Sequence, residues 1–398
     1  MKLKRILSLL IVFIMLTFCL SGCWNSRELN TLAFVTAMGF DRTSNGMQLT
    51  IQVLNPRTIA SQKSYNEPSV VVYTEEGKDT LEIIRRLSTE SPRKLNGTHL
   101  RTVIFGEDFA KDGISDVLDF FSREHQNRTD LYFAVAKGIT AYEVLNTLTD
   151  LETNPSFKLY SSIKASDEIW AGTESVKIIS LINSIVSDGI DPVLTGIEIV
   201  NSDEENKTME MLELIASDPI KIGYLAVFQN DKFVGWLDEN ECKGYNFLIQ
   251  NVKSSVGYVE SERTGRITIE VTDVKSKRTV LLINGEPVVS VIIDIKGNID
   301  TVAGDFDITK AENIRLIEQL SEDKITKMCY KSINKAQKEL NSDIFGFGEV
   351  IHRTYPKLWS TMKDDWNYNF KILPVNVKVN FKIDQIGIIS KSFFAKES

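Results

Sequence analysis

The apolar run Ile6 to Leu20 spans 15 residues and stops at Leu20-Ser21-Gly22-Cys23. Lys2, Lys4 and Arg5 precede it, and the polar stretch Trp24-Asn25-Ser26-Arg27-Glu28 follows. A helix needs about 20 apolar residues to span a bilayer, so the run reads as the core of a secretory signal. Small residues just before a cysteine make a lipobox. The Cys23 sulfur is expected to take a diacylglyceryl group. Cleavage then falls between Gly22 and Cys23, and the new amino terminus is acylated. The plain alternatives are an ordinary cleaved signal or a short anchor helix, with Cys23 a bystander. On the lipobox reading, residues 1–22 are lost and the remaining 376 of the 398 fold outside a bacterial membrane, hung from Cys23.

Charge narrows the partners. The net charge is −8, and the leader carries three positive charges and no negative ones, which leaves the mature chain near −11. Non-specific nucleic-acid affinity comes from Lys and Arg neutralising phosphates, so no nucleic-acid role is expected. Anionic headgroups would repel the body as well. Membrane attachment must come from acyl chains, at roughly 0.8 kcal/mol per buried CH₂. The composition, 42% hydrophobic and 25% charged, suits sizeable cores, and a chain this long suits two or three of them. Cys19 leaves with the signal. Cys242 and Cys329 are expected as buried free thiols in helices; a disulfide between them stays open at this point.

Hydrophobic spacing predicts a strand over Leu32–Asp41, a turn at Thr43-Ser44-Asn45-Gly46 and an alternating strand over Met47–Leu54. Strands then alternate with helices. Val70–Thr74, His99–Phe105 and Leu131–Ala136 are the strands. Lys78–Glu90, with Leu81, Ile84 and Leu87 inward, Asp112–His125 and Ala141–Leu148 are the helices. The pattern weakens around 150–170, which places a boundary near 150. A helix over Glu174–Val186, a strand over Gly196–Val200 and a hairpin around Gln229-Asn230-Asp231 follow, with Asp238 capping a helix to about Gln250. The last third alternates over Arg266–Val274, Thr279–Ile283 and Val288–Ile295. A long helix, about Lys310–Leu340, precedes the closing strand on which Val375, Val377, Val379, Phe381 and Ile383 share a face. The expected fold is multidomain α+β, with mixed sheets carrying helices and a C-terminal antiparallel sheet covered by a long helix. The expected units are 23–150 (α/β), 151–253 (smaller α+β) and 254–398 (α+β).

Catalytic motifs do not emerge: there is no Gly-x-Ser-x-Gly, His-Glu-x-x-His or Walker A pattern. His99, His125 and His352 lack metal-ligand spacing, so no metal and no cofactor are expected. Asp343-Ile344-Phe345-Gly346-Phe347-Gly348 reads as a helix-ending turn with core phenylalanines rather than a phosphate cradle. Arg123 and Arg128 read as a charge cluster at a helix end, and the acidic loop 202–205 as solvated.

Several stretches together resemble a known family. Cys23-Trp24-Asn25-Ser26-Arg27-Glu28-Leu29-Asn30, then Ala33 through Gly39-Phe40-Asp41, is similar to the mature start of the Ger(x)C spore-germination lipoproteins. Asn25 stands where Asp is usual, and Phe40 where Ile is. Asp119-Phe120-Phe121-Ser122-Arg123-Glu124 through Arg128, Gly235-Trp236-Leu237-Asp238 with Gly244, and Ala336 through Gly348 with Pro356-Lys357-Leu358-Trp359 and Trp366 also agree. The resemblance implies a lipid-anchored, non-catalytic subunit of a nutrient-germinant receptor, on the outer face of the inner membrane of a spore. Its implied partners are a multi-span subunit with a large soluble domain and a permease-like subunit. The one site residue carried over is Cys23. The family's three-part build agrees with the boundaries drawn above. Two other classes remain open: a solute-binding lipoprotein of a transporter, against which no pair of similar lobes is visible, and an extracytoplasmic hydrolase, against which no nucleophile–base pairing is visible.

Overall fold

The computed structural model describes residues 3–8, 10, 31–55, 69–124, 128–147, 149, 154–200, 220–303 and 306–387. Strand β1 (Leu32–Thr43) is buried along almost its whole length. A strand can be apolar at successive positions, as in Leu32-Ala33-Phe34-Val35, only when both faces are covered. It turns into β2 (Gly46–Leu54), and β3 (Val70–Gly77) pairs antiparallel with the far edge of β2. Helix α1 (Thr80–Leu87) starts where the Asp79 side chain accepts from the Glu82 backbone N–H. Its inward face is Thr80, Ile83 and Leu87; Leu81, expected inward, is 46% exposed.

β4 (Lys94–Asn96) and β5 (Thr102–Gly106) lie parallel to β1. The helix expected over Asp112–His125 is α3 (Ser115–Arg123), and a further helix, α2 (Glu107–Asp112), precedes it. They divide at Gly113, whose φ of +127° a residue with a side chain rarely adopts. β6 (Tyr132–Ala136) continues the parallel run, followed by α4 (Ala141–Leu145), α5 (Pro155–Ile169), α6 (Ile178–Val186) and the parallel strand β7 (Val193–Ile199). The spacing does not announce α5, yet its start is written in two residues. Asn154 accepts from the Ser156 N–H at 2.9 Å, and Pro155 occupies the first helical position, where a missing N–H costs nothing. The helix expected over Glu174–Val186 begins only at Ile178, because the residues before it pair with strands: Phe133 N donates to Val176 O at 3.3 Å.

β8 (Ile220–Gln229) and β9 (Lys232–Leu237) complete the sheet antiparallel, in the order β3-β2-β1-β5-β6-β7-β8-β9 with β4 beside β1. β6 and β7 come from either side of residue 150 and pair directly, so this sheet runs unbroken past that position. One face carries Phe40, Phe105 and Phe133, packed against Phe121 of α3, with Phe105 and Phe133 stacked at 6.0 Å. The other carries Ala37, Ala134 and Ala136, small enough for α4 and α5 to approach.

A second sheet follows α7 (Glu239–Ile249): β10 (Ser255–Ser261), β11 (Gly265–Ile283) and β12 (Glu286–Ala303), all antiparallel. Asn284 and Gly285 join the two long strands with φ of 54° and 88°, the pair of positive angles that a type I′ turn requires. Helix α8 (Ala311–Asn334) runs on through a π-helical turn, Lys335–Leu340, and ends at Asn341. After α9 (Phe347–Thr354), α10 (Pro356–Met362) and α11 (Trp366–Ile372), the closing strand β13 (Val375–Gln385) pairs with β12. That last pairing is parallel, whereas the sheet was expected to be antiparallel throughout. The chain crosses back over the sheet through α8–α11 before β13, and a crossover of that kind delivers a parallel strand. The long helix covers the sheet as expected, burying Ile317, Ile325 and Cys329 with Phe381 and Ile383. Its polar residues also close the free edge of β13. The Val377, Phe381 and Ile383 N–H groups donate to Tyr330 Oη at 3.1 Å, Glu322 at 2.9 Å and Glu318 at 3.0 Å. A covered edge cannot template another strand.

Candidate functional site

Cys23 and Gly22, with Trp24–Asn30, lie outside the described residues, as do His125 and the loop 202–205. Many of the remaining family-like residues gather at two places, and both are built around carboxylates.

At the first, β1, β5 and β6 end side by side. Asp41, the last residue of Gly39-Phe40-Asp41, is 6% exposed. Its oxygens accept from the Ala141 N–H at 2.8 Å and the Tyr142 N–H at 2.9 Å, so β1 grips the first turn of α4. Burial raises its pKa, and those two backbone bonds pull the other way. A Cβ on Gly106 would sit 2.2 Å from Asp41 Oδ1, which explains a glycine at the end of β5.

The second place joins the two sheets. As α8 ends, Ser342 donates to Phe228 O at 2.7 Å and Gln229 Nε2 to Asn341 O at 3.1 Å. Asp343, 1% exposed, accepts from the backbone N–H groups of Phe347 at 3.1 Å and Gly348 at 2.8 Å. It also accepts from Trp366 Nε1 at 3.2 Å. Asp191, just before β7, accepts from the N–H groups of Asn230 at 2.8 Å and Asp343 at 3.0 Å, while its own N–H donates to Asp343 O at 2.9 Å. From the C-terminal sheet, the Arg278 guanidinium donates to Phe345 O. Phe345 and Phe347 are fully buried, and Gly346 has a φ of 67°. The segment is thus the helix-ending turn that the sequence predicts. Burial pushes Asp343 up to about 7 against the bonds from Gly348, Phe347 and Trp366, and raises Asp191 too.

Around this knot stand the other motif residues. Trp359 meets Trp366 edge-on at 5.0 Å, and Gln337 Nε2 donates to Phe370 O at 2.8 Å and Leu373 O at 2.9 Å. Asp238 caps α7 in a reciprocal capping box with Glu241. Gly244 of α7 lies against α8 so closely that a Cβ would be 2.2 Å from Met328 O. Cys242 and Cys329 are buried free thiols in these two helices, as expected. Burial pushes Cys329 up to about 12 and raises Cys242 well above the usual thiol range, so both stay protonated and unreactive.

The chemistry of both places is that of clamps. Every oxygen of Asp191 and Asp343 receives a donor from the protein, so neither carboxyl is aimed at a substrate. The arginines are taken up similarly: Arg123 pairs with Asp119 at 2.8 Å, and Arg128 with Asp130 at 2.7 Å. Arg128 is the main cause holding Asp130 down at about 2. His99 lies edge-on to Phe34 at 4.8 Å, and His352 stacks on Trp359 at 5.7 Å. Among the described residues, no cluster of His, Cys, Asp and Glu could hold a metal ion, and no helix is long and apolar enough to cross a membrane.

Both halves of the chain match known protein families. Residues 25–199 match the family described as spore germination protein N-terminal domain, and residues 224–387 match spore germination B3/GerAC like, C-terminal. Spore germination protein KC of Bacillus subtilis (strain 168) is 28% identical over 392 residues, covering 96% of each chain. Spore germination protein B3 of the same organism is 24% identical, covering 95% of this chain and 97% of its own. The crystal structure of the GerBC protein shares the fold, with a TM-score of 0.57 at 20% identity over 87% of this chain and 96% of that one.

Proposed function

This chain belongs to the GerAC-like family of spore germination proteins, the C subunits of germinant receptors, and from that premise we propose that it is the lipid-anchored subunit of a nutrient-germinant receptor. In this reading Cys23 carries the lipid, and the protein works on the outer face of the spore's inner membrane. It docks there with a multi-span subunit bearing a soluble domain and with a permease-like subunit. Its role is assembly and response, not catalysis. The observation that carries the reading is that the two family matches run in order along nearly the whole mature chain. The clamps support it, because a docking protein needs its surfaces held at fixed angles. Acyl chains confine the domains to the membrane plane and raise their effective concentration near membrane partners.

Replacing Cys23 by alanine is the direct test of the anchor. The variant is expected to lose radiolabelled fatty-acid incorporation, to leave the membrane fraction, and to germinate more slowly on the nutrient its receptor serves. Normal lipid labelling would refute the anchor. Unchanged germination with labelling lost would refute tethering as its purpose.

A further inference from the structure

The geometry points to a binding site for a small carboxylate with an apolar body, in the cavity between α7, β10 and α8, its charge held by Lys243 and Lys324. The cavity has a volume of about 230 Å³. Its walls are Phe247, Ile269, Ile325, Met328 and Phe381, with Trp170 and Tyr258 at the rim. That is an apolar chamber with a charged end, the arrangement in which a few placed polar groups orient a largely apolar ligand.

Lys243 is held only loosely by its anionic partner, Glu239. Lys243 has a side chain only 11% exposed, and its ammonium lies 3.5 Å from the centroid of the Trp170 ring. Its nearest acceptors are Val256 O at 3.5 Å and Glu239 at 3.7 Å, both beyond the usual span of a good hydrogen bond. Lys324 donates to Tyr258 O at 2.6 Å and lies 3.9 Å from the Tyr258 ring. An ammonium has three donors, so that bond leaves capacity for an anion. The Arg266 guanidinium, 4.0 Å from the same ring, adds a third positive charge. The lining carries one carboxylate, Glu239, and its side chain is 62% exposed on the rim. Burial lowers the pKa of both lysines; at Lys243 Glu239 opposes the shift and the repulsion from Lys324 adds to it, and at Lys324 the repulsion from Arg266 adds to it and Glu260 opposes it. A single negative charge seated between them would relieve that repulsion.

Size and polarity set the class. Ligand pockets commonly run from roughly 300 to 1,000 Å³, so this one suits a branched short-chain acid or a single-ring acid rather than a peptide or nucleotide. The mostly apolar wall would leave a polyanion's remaining charges without donors. The inference stands apart from the receptor reading and does not need it.

Gly257 provides a clean test, because it lines the cavity and a Cβ there meets no atom within 4 Å. Gly257→Leu therefore starts its side chain in open space at the chamber. Full-length lipidated protein in detergent would be titrated calorimetrically with sodium phenylacetate and sodium isovalerate, with phenylacetamide as the uncharged control. At least one acid is expected to bind saturably at one site, with the amide at least tenfold weaker. Lys324→Gln, at a half-exposed position, should weaken the acid at least tenfold, and Gly257→Leu should abolish binding while its thermal unfolding stays unchanged. Saturable binding by neither acid, an amide that binds as tightly as its acid, or unaltered binding in either variant would overturn the site.

Discussion

Asp343→Ala is expected to lower unfolding stability by about 3–5 kcal/mol, read from the denaturant midpoint. The substitution strips the acceptor from three donors in one buried spot: the Phe347 and Gly348 N–H groups and Trp366 Nε1. A buried donor left without a partner costs about 1–3 kcal/mol, and relief from burying a carboxyl offsets part of the sum. The loss would not stay local, because the same segment holds Phe228, Asp191 and Arg278 from both sheets. Asp343→Asn keeps one acceptor oxygen and should be milder, with a pH signature. The Asp343 pKa rises from 3.8 to about 7 on folding. Stability carried by its protonated form is complete below about pH 4 and is lost as pH rises through 7. Between pH 5 and pH 8 the disadvantage of the asparagine variant should therefore shrink by about 2–3 kcal/mol, at roughly 1.36 kcal/mol per pKa unit. A disadvantage that grows over that interval would contradict the assignment.

Gly244→Val should cost about 3 kcal/mol or more, for a different reason. The added Cβ would lie 2.2 Å from Met328 O and 2.6 Å from Met328 C, and both are backbone atoms of α8. A flexible side chain can swing away, but a helix backbone cannot without parting the two helices. Overpacking of this kind costs about 1–3 kcal/mol even where side chains absorb it. The parted helices would also expose Cys242 and Cys329, so thiol-reagent modification should rise from near zero to rapid. Gly257→Leu is the internal control, with an expected change within about 0.5 kcal/mol. Equal stability and equal thiol protection in wild type and Gly244→Val would sink this account of the α7–α8 contact.

Much of this fold is legible in the residues. β13 follows from strict alternation, α7 from Asp238 and Glu241, and the β11–β12 turn from Asn284-Gly285. These signals are local, and local energetics settled them. What the sequence hides has non-local causes. α5 has little amphipathic patterning because several of its buried positions are polar: Ser156 and Asp167 lie inside with Leu159 and Ile163. The parallel pairing of β13 depends on where the chain returns after four helices, which no window of residues encodes. The clamps were half visible. The motif around Asp343 was readable as a turn, but its partner Asp191 sits 152 residues earlier in an unremarkable loop. Asp41 belongs to a family-like motif, but its role is not legible there, since its partners, Ala141 and Tyr142, lie 100 and 101 residues away. The cavity lysines gave no signal either, because Lys243 and Lys324 come together only when α7 and α8 pack.

The most direct test of the receptor reading is a deletion of this gene, with purified spores exposed to a panel of amino acids, sugars and nucleosides. The account predicts loss of response to one nutrient mixture, with response to a receptor-independent trigger intact and restoration by the wild-type gene. Spores that respond normally to every nutrient, from a strain in which the protein is abundant and no second copy of the receptor is expressed, would contradict it.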